Sequence, residues 1–574
     1  MVRQRDVVDR GALKQIMNNR KVFVIGIDGG TFDIILPMIK RGELPTIASI
    51  MEKGVWGNLS TTIPSVTVPA WISCVTGMNP GNYGLFYFTG NSHFYDEGCI
   101  QDATKVKTKS IWHLLSDHQK KSIIVNVPFT VPPANIHGVM VALRGLTVGS
   151  SEKLLSTHPP ELEEHLIKSL FLDEAIREFN KFGGAEGQMT KEVALNRRIE
   201  LGKVLTKKTK EICLQLLKNH HDTDFFMSVF RSTDWLQHYF LGYTDPHHPL
   251  YTDELFKRYG DVIQKEYQRV DAAIKDILKE VKDATIILLS DHGGGPLYNF
   301  FYANVWLRKN GYLEIIGNRT KPSFMWEKIS LTKCFSKIGV KTEVFKNLKI
   351  PVLRAKSKPA YEEIDWMRTR AYAAPIGINI NLKGREPCGS VDEVDYNSMC
   401  ETIRNELYQL KNHQGREIID KVYRREEIYS GPYVNEAPDI IYLFKDTHYV
   451  PRLDVFYPSI FQEIPSDTIV TGQHISSKVD GIIMMQGPDI KPGSELSGAH
   501  IMDITPTILY LMGLPIPENM DGRILTEFLQ EEFIAKNPPI YSGPSELPHW
   551  ENEGMSQEEE NMIKNQLKQL GYLS

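Results

Sequence analysis

Three aspartates, three histidines and one threonine are the residues of this sequence whose types and placement could do chemistry together. They are Asp28, Asp234, Asp291, His238, His292, His474 and Thr67. Carboxylates and imidazoles in equal number form a mixed oxygen and nitrogen donor set suited to divalent transition metals, and six donors suffice for two ions. Thr67 is the hydroxyl placed to act as nucleophile between them. A threonine hydroxyl is a weak nucleophile at neutral pH, and metal coordination lowers its pKa and aims it. The chemistry expected of such a set is metal-dependent hydrolysis of a phosphoric ester.

The elements that must position these residues are short apolar runs. Residues 22–27, 225–230 and 285–290 read as buried strands, and Asp28, Asp234 with His238, and Asp291 with His292 come within a few residues of their ends. His474 instead leads into a strand over 481–485. Open parallel sheets gather their chemistry at the carboxyl ends of their strands. Further strands are expected at 123–127, 139–143 and 439–443, with helical patterns over 32–53, 159–219, 253–282 and 395–410. Strands alternating with helices predict an α/β/α sandwich around a mostly parallel central sheet.

Each candidate also has a plainer reading. Asp28-Gly29-Gly30 is a common turn sequence, and a strand ending in Asp-Gly-Gly-Thr resembles the first phosphate loop of actin-like sugar kinases. An ATP-dependent kinase of that class is therefore the alternative from another class of enzyme. It would require a second such loop after a hairpin, and residues 29–60 read as helical. Pro69 suits the first turn of a helix, so Thr67 at or just before its start is either a cap or a nucleophile beside unpaired backbone N–H groups. Asp234 and His238 are spaced i, i+4, so a helix presents both on one face, as a solvated pair or as metal ligands. Asp291 and His292 precede three glycines, which let the backbone turn sharply enough for both to converge. Trp71, Arg144, Arg231, Trp235 and Arg385 are candidates for lining a substrate pocket.

Bulk properties bound the reading. A chain of 574 residues with 41% hydrophobic and 24% charged residues is long enough for a large α/β domain with insertions. The divisions expected are a charged extension over 1–20, a catalytic domain over 21–528 with insertions near 151–222 and 297–430, and a polar tail over 529–574. The second insertion would form a lid over the site. A net charge of −5 provides no basic field for nucleic acid. No apolar stretch approaches the ~20 residues of a membrane span. Six scattered cysteines without a C-x-x-C pair, and an N-terminal segment lacking an apolar signal core, predict a cytoplasmic protein.

Taken together, these stretches resemble the alkaline phosphatase superfamily, in its branch of type I phosphodiesterases, nucleotide pyrophosphatases and related phosphohydrolases and phosphomutases. The resemblance is carried by residues 24–29, 64–71 with Thr76-Gly77 and Asn79-Pro80-Gly81, 234–238, 290–293, 472–474, and 503–513 with Asp521-Gly522-Arg523. It spans about residues 21–528. It implies two divalent metal ions, Zn²⁺ or alternatively Mn²⁺, about 4 Å apart. Asp234, His238 and His474 would hold one ion. Asp28, Asp291, His292 and the Thr67 oxygen would hold the other. Thr67 would form a phospho-threonine intermediate during cleavage of a phosphodiester or pyrophosphate bond in a small phosphorylated substrate. A phosphomutase or phosphomonoesterase is the same-fold alternative. Tyr83 stands where many relatives have His, and no Cys/Ser-x-Pro-x-Arg motif of the sulfatase kind occurs.

Overall fold

The computed structural model describes residues 20–90, 99–143, 155–170, 190–316 and 360–545, together with 547–548, 554 and 557–570. The expected extension over 1–20, apart from its last residue, and Arg144 lie outside them.

The centre of the molecule is one large sheet built from β1 (Lys21–Ile27), β2 (Val55–Ser60), β3 (Ser122–Val125), β4 (Gly138–Leu143), β5 (Leu155–His158), β6 (Phe225–Phe230), β7 (Ala284–Leu289) and a late strand, Gly481–Gln486. The spatial order runs β5, β4, β3, β6, β1, β7, the Gly481–Gln486 strand and β2, with short edge strands pairing onto β2. β4, β3, β6, β1 and β7 are mutually parallel. β5 and the late strand are antiparallel to their neighbours.

β1 shows why the central strands are apolar throughout. Successive side chains leave a strand on opposite faces. Phe23, Ile25 and Ile27 enter one core with Phe226, Phe230, Ile35 and Leu236. Val22 and Val24 enter the other with Trp71, Cys74, Ile508 and Leu509. Both faces are covered by helices, so every position from Val22 to Ile27 is buried, as in other parallel sheets. The helices Phe32–Lys40, Pro45–Lys53, Lys191–Asn219, Ser232–Phe240 and Val262–Leu278 contribute to the first core, and Thr67–Thr76, Ile111–Asp117 and Ile504–Leu511 to the second. The result is an α/β/α sandwich.

Two helical segments are more divided than the sequence pattern predicts. The pattern over 32–53 resolves into two helices separated at Arg41–Leu44, where Gly42 takes a positive φ of 74°. The pattern over 253–282 is two helices, Asp253–Tyr259 and Val262–Leu278, parted at Gly260 and Asp261. Both breaks fall at a glycine, which gives a helix little intrinsic support.

A second, antiparallel sheet orders the strands Ala371–Ala374, Gly377–Ile380, Ile440–Phe444 and Ile419–Arg424, with the helix Glu393–Tyr408 against it. It has its own core, which includes Trp306 and Leu307 of the helix Ala303–Lys309. The terminal helix Gln557–Leu570 buries Leu567 in a cluster with Phe86, Tyr87 and Val66. No helix among the described residues is long and apolar enough to cross a membrane.

Candidate active site

The register of three adjacent strands places the first half of the site. Ile27 of β1 lies opposite Phe230 of β6, and Gly26 lies opposite Leu289 of β7. The three strands therefore end at one level, and the residues just beyond their ends converge. Asp28, Asp291 and His292, all buried, offer donor atoms within 4.8 Å of one another. Gly29 enables the convergence: its φ is 65°, and a Cβ there would lie 2.8 Å from the Asp234 Cβ. The Gly29 amide donates to Asp291 Oδ1 at 3.2 Å.

The second half is a helix joined to a loop. Asp234 and His238 share one face of the helix Ser232–Phe240, and His474 completes a group whose donor atoms also lie within 4.8 Å of one another. The Thr471 amide donates to the His238 carbonyl at 2.7 Å. The Thr471 hydroxyl donates to the Tyr239 carbonyl at 2.9 Å and accepts from the Gly242 amide at 3.1 Å. Gly472 lets the loop lie flat on the helix, since a Cβ there would meet the Gln237 carbonyl oxygen at 2.4 Å. The Gln237 amide group donates to the Gly29 carbonyl at 2.8 Å, tying the two halves together.

Thr67 is the first residue of the helix Thr67–Thr76, whose first amides have no partner within the helix. Its hydroxyl lies 3.1 Å from His292 Nε2, beside the Asp28 group. That helix sits against β1 through Trp71, whose ring fills the space over Gly26, where a Cβ would be 2.4 Å from the indole. Ser65, two residues upstream of Thr67, pairs reciprocally with His474. The Ser65 hydroxyl donates to the His474 carbonyl, and His474 Nδ1 donates to the Ser65 carbonyl, each at 2.5 Å.

All three imidazoles are oriented in the same way. His238 Nδ1 faces the Gly472 carbonyl at 3.0 Å, His292 Nδ1 faces the Gly293 carbonyl at 2.8 Å, and His474 Nδ1 faces that of Ser65. A carbonyl can only accept, so each Nδ1 carries the hydrogen and each neutral ring turns an Nε2 lone pair into the site. The rings of His292 and His474 stack at 3.8 Å and join the two groups along one wall.

The donor set fits divalent cations. Asp28 Oδ1 and Asp291 Oδ2 are buried without a hydrogen-bond partner. Asp291 Oδ2 lies 3.1 Å from His292 Nε2, and Asp234 Oδ2 lies 3.4 Å from His238 Nε2. In the neutral tautomers these contacts set lone pair against lone pair, an arrangement that a cation between them relieves. The charges agree. Burial, then the neighbouring Asp291 and Asp234 carboxylates, raise the Asp28 pKa well above the carboxylate range. Burial and Asp234 push Asp291 up to about 8. Burial also opposes ionisation of Asp234, but a second proton on His238 would hold that carboxyl below its ordinary value and is itself favoured by it, so the pair calls for positive charge at the place where an ion would sit. Burial and the adjacent His292 depress His474. Three carboxylates this close repel one another, and positive charge is the missing term.

The pocket candidates separate. Arg231 caps the start of the helix bearing Asp234, and its charge favours ionised Asp28. Trp235 packs edge-on against Tyr239 at 5.6 Å. Trp71 is fully buried in the core beneath the site. Arg385 belongs to the second sheet, where both terminal nitrogens bind the buried Asp439 carboxylate at 2.6 Å. Ser65, Thr471 and Gln237 are the positioning residues that sequence reasoning missed. Their partners are mostly backbone carbonyls, which every residue carries and no residue type announces.

The fold is a mixed α/β sandwich around a large, mostly parallel sheet, like that of alkaline-phosphatase-like solved structures. The sequence model of the family "Type I phosphodiesterase / nucleotide pyrophosphatase" matches residues 22–453, and the chain belongs to that family. It is accordingly a hydrolase of phosphoric ester bonds. Among solved structures, a mutant of the alkaline phosphatase PafA is 14% identical with a TM-score of 0.50, the alignment covering 89% of this chain and 99% of that one. Murine ectonucleotide pyrophosphatase / phosphodiesterase 5, in an inactive form in complex with AMP, is 13% identical with a TM-score of 0.47 over 89% and 100% of the two chains. Phosphonoacetate hydrolase from Sinorhizobium meliloti 1021, in complex with phosphonoformate, is 12% identical with a TM-score of 0.46 over 86% and 96%. At these identities the likeness is one of fold. No curated protein matches the chain.

Proposed function

We propose that this chain cleaves a phosphodiester or pyrophosphate bond of a small phosphorylated substrate, with Thr67 as nucleophile between two metal-binding groups. One group is Asp234, His238 and His474. The other is Asp28, Asp291 and His292 with the Thr67 oxygen. The observation that carries this reading is the common orientation of the three imidazoles, each tied through Nδ1 to a carbonyl so that Nε2 joins the carboxylates around one hydroxyl. Two divalent ions, of which Zn²⁺ best suits a mixed imidazole and carboxylate set, would supply Lewis acidity and up to four positive charges against three carboxylates.

The chain's own residues bind, aim and attack. The start of the Thr67–Thr76 helix directs amide hydrogens towards an incoming anion. Thr67 Oγ1 attacks phosphorus, the bond to the leaving oxygen breaks on the far side, that oxygen takes up the proton the hydroxyl gives up, and a phospho-threonine that keeps the second substituent remains. Water then attacks the same phosphorus, releasing it as a phosphate monoester that keeps the second substituent, and a proton from the water restores the Thr67 hydroxyl. His292 Nε2, 3.1 Å from that hydroxyl, keeps it aimed into the site. The five described cysteines are free, which suits a reducing compartment, and the cytoplasm is the location we assign.

The test combines elemental analysis of the purified protein with hydrolysis of bis-p-nitrophenyl phosphate and p-nitrophenyl phosphate. The expected result is about two zinc or manganese ions per chain and diester cleavage that falls by at least about 10³-fold in Thr67→Ala. Turnover of the monoester alone would redirect the assignment to a phosphatase or mutase. A protein without transition metal would overturn the two-metal reading.

A further inference from the structure

The helix Ser232–Phe240 carries two of the three donors of one group, so its rotation and depth set where that group lies. Beyond its loop contacts, it is seated from the side by the long helix Lys191–Asn219. Gly202 brings the two helices close, since a Cβ there would lie 2.8 Å from Leu236 Cδ1. The Arg198 guanidinium lies over the Tyr239 ring at 4.7 Å.

A third contact is polar and fully buried. Glu266, on the helix Val262–Leu278, has no exposed surface. One carboxylate oxygen accepts from Arg269 and the other from the Thr206 hydroxyl. An ionised carboxylate only accepts, so Thr206 gives its proton to Glu266, and its oxygen must accept from the Ser232 hydroxyl, 2.6 Å away. Ser232 is the first residue of the metal-bearing helix. Next to it, the Thr233 hydroxyl donates to the Asp28 carbonyl at 2.6 Å. A one-directional relay therefore runs from Ser232 through Thr206 to Glu266, fastening three helices at the edge of the site.

The Arg269 side chain is 29% exposed, so its pairing with Glu266 is a weak source of stability. What it supplies is direction. We infer that Glu266 and Thr206 are positioning residues for the Asp234, His238 and His474 group: through Ser232 they hold the helix that presents Asp234 and His238. This inference rests on the two-metal reading.

The experiment is calorimetric titration of Zn²⁺ into the metal-stripped full chain. Wild type should show two sites. Thr206→Val should weaken one of them about tenfold and leave the other unchanged. Thr206→Ser, which keeps the hydroxyl, should restore it. Adding Thr206→Val to His238→Ala, in which that site is already lost, should not change the remaining affinity. Ser232→Ala removes the far end of the relay and should reproduce the selective loss even if Thr206→Val does not fold. Both affinities unchanged in the folded variants, both falling together, or Thr206→Ser behaving as Thr206→Val would overturn the relay while the two-metal reading stands. A wild type that takes up no zinc would overturn the two-metal reading itself.

Discussion

The two halves of the site are built by different means. Asp28, Asp291 and His292 stand at the ends of neighbouring strands, where sheet register and the turn at Gly29 bring them together. Asp234, His238 and His474 come from a helix and from a loop more than two hundred residues later, and hydrogen bonds must hold those pieces to each other. The first group is the more deeply buried, Asp234 of the second being partly accessible. Register is a property of the whole sheet and is hard to disturb locally. A docked helix and loop can be shifted by one side chain. The first group should therefore fail only when a ligand is removed, and the second also when its supports are altered.

The largest separation is expected from a ligand substitution. Asp291→Asn keeps the shape and removes the charge at the strand-end group. It should lower metal affinity there by more than about 10²-fold, leave the second group occupied, and be read as one metal per chain by elemental analysis. Equal loss from both groups would mean that the halves are not independent.

A smaller effect tests the supports. Gly472→Ala places a methyl on the Gln237 carbonyl and must lift the loop from the helix. Overpacking of this kind costs about 1–3 kcal/mol. Calorimetric titration should show roughly a tenfold loss for one metal only, since about 1.4 kcal/mol is a factor of ten.

The mildest test is titration of the metal-free protein with pH. Asp28 and Asp291 have raised folded pKa values, Asp291 at about 8, so between the ordinary histidine value of about 6.5 and pH 8 these two groups hold protons in the folded state that the unfolded state has lost. Stability then falls as pH rises through that window. Thermal unfolding should show a declining Tm from about pH 6.5 to pH 8 in the metal-free protein; below that window histidines with depressed folded pKa values, such as His113 and His474, work in the opposite sense. That slope should flatten on metal loading, because metal binding requires these carboxylates to be ionised already.

The same division governs what could be read from the sequence. Strand-end donors were legible because a charged residue directly after a buried apolar run stands out, and Asp28, Asp291 and His292 lie where that pattern predicts. The i, i+4 pair of Asp234 and His238 was equally visible. His474 depended on resemblance, since its partners lie far away in sequence. Trp71 and Arg385 show the limit of reading residue type alone. The tryptophan's ring is taken up by the close approach at Gly26, and the arginine's charge by Asp439. The helix Lys191–Asn219 falls in the stretch expected as an insertion. Its Lys-rich composition conceals buried Arg197, Arg198, Thr206 and Thr209 facing the core. Polarity marks an exposed face only when nothing polar waits on the other side.

The Ser65 and His474 pairing closes a span of 409 residues and lies next to a strand, Gly481–Gln486, that is inserted between β2 and β7. During synthesis the chain therefore carries six of its seven candidate site residues by His292, yet its sheet lacks the strand that joins β2 to the rest. Domains fold as units once their sequence has emerged. Activity should thus arrive late and all at once, so that a nascent or prematurely ended chain carries Thr67 without His474, the partner of the neighbouring Ser65.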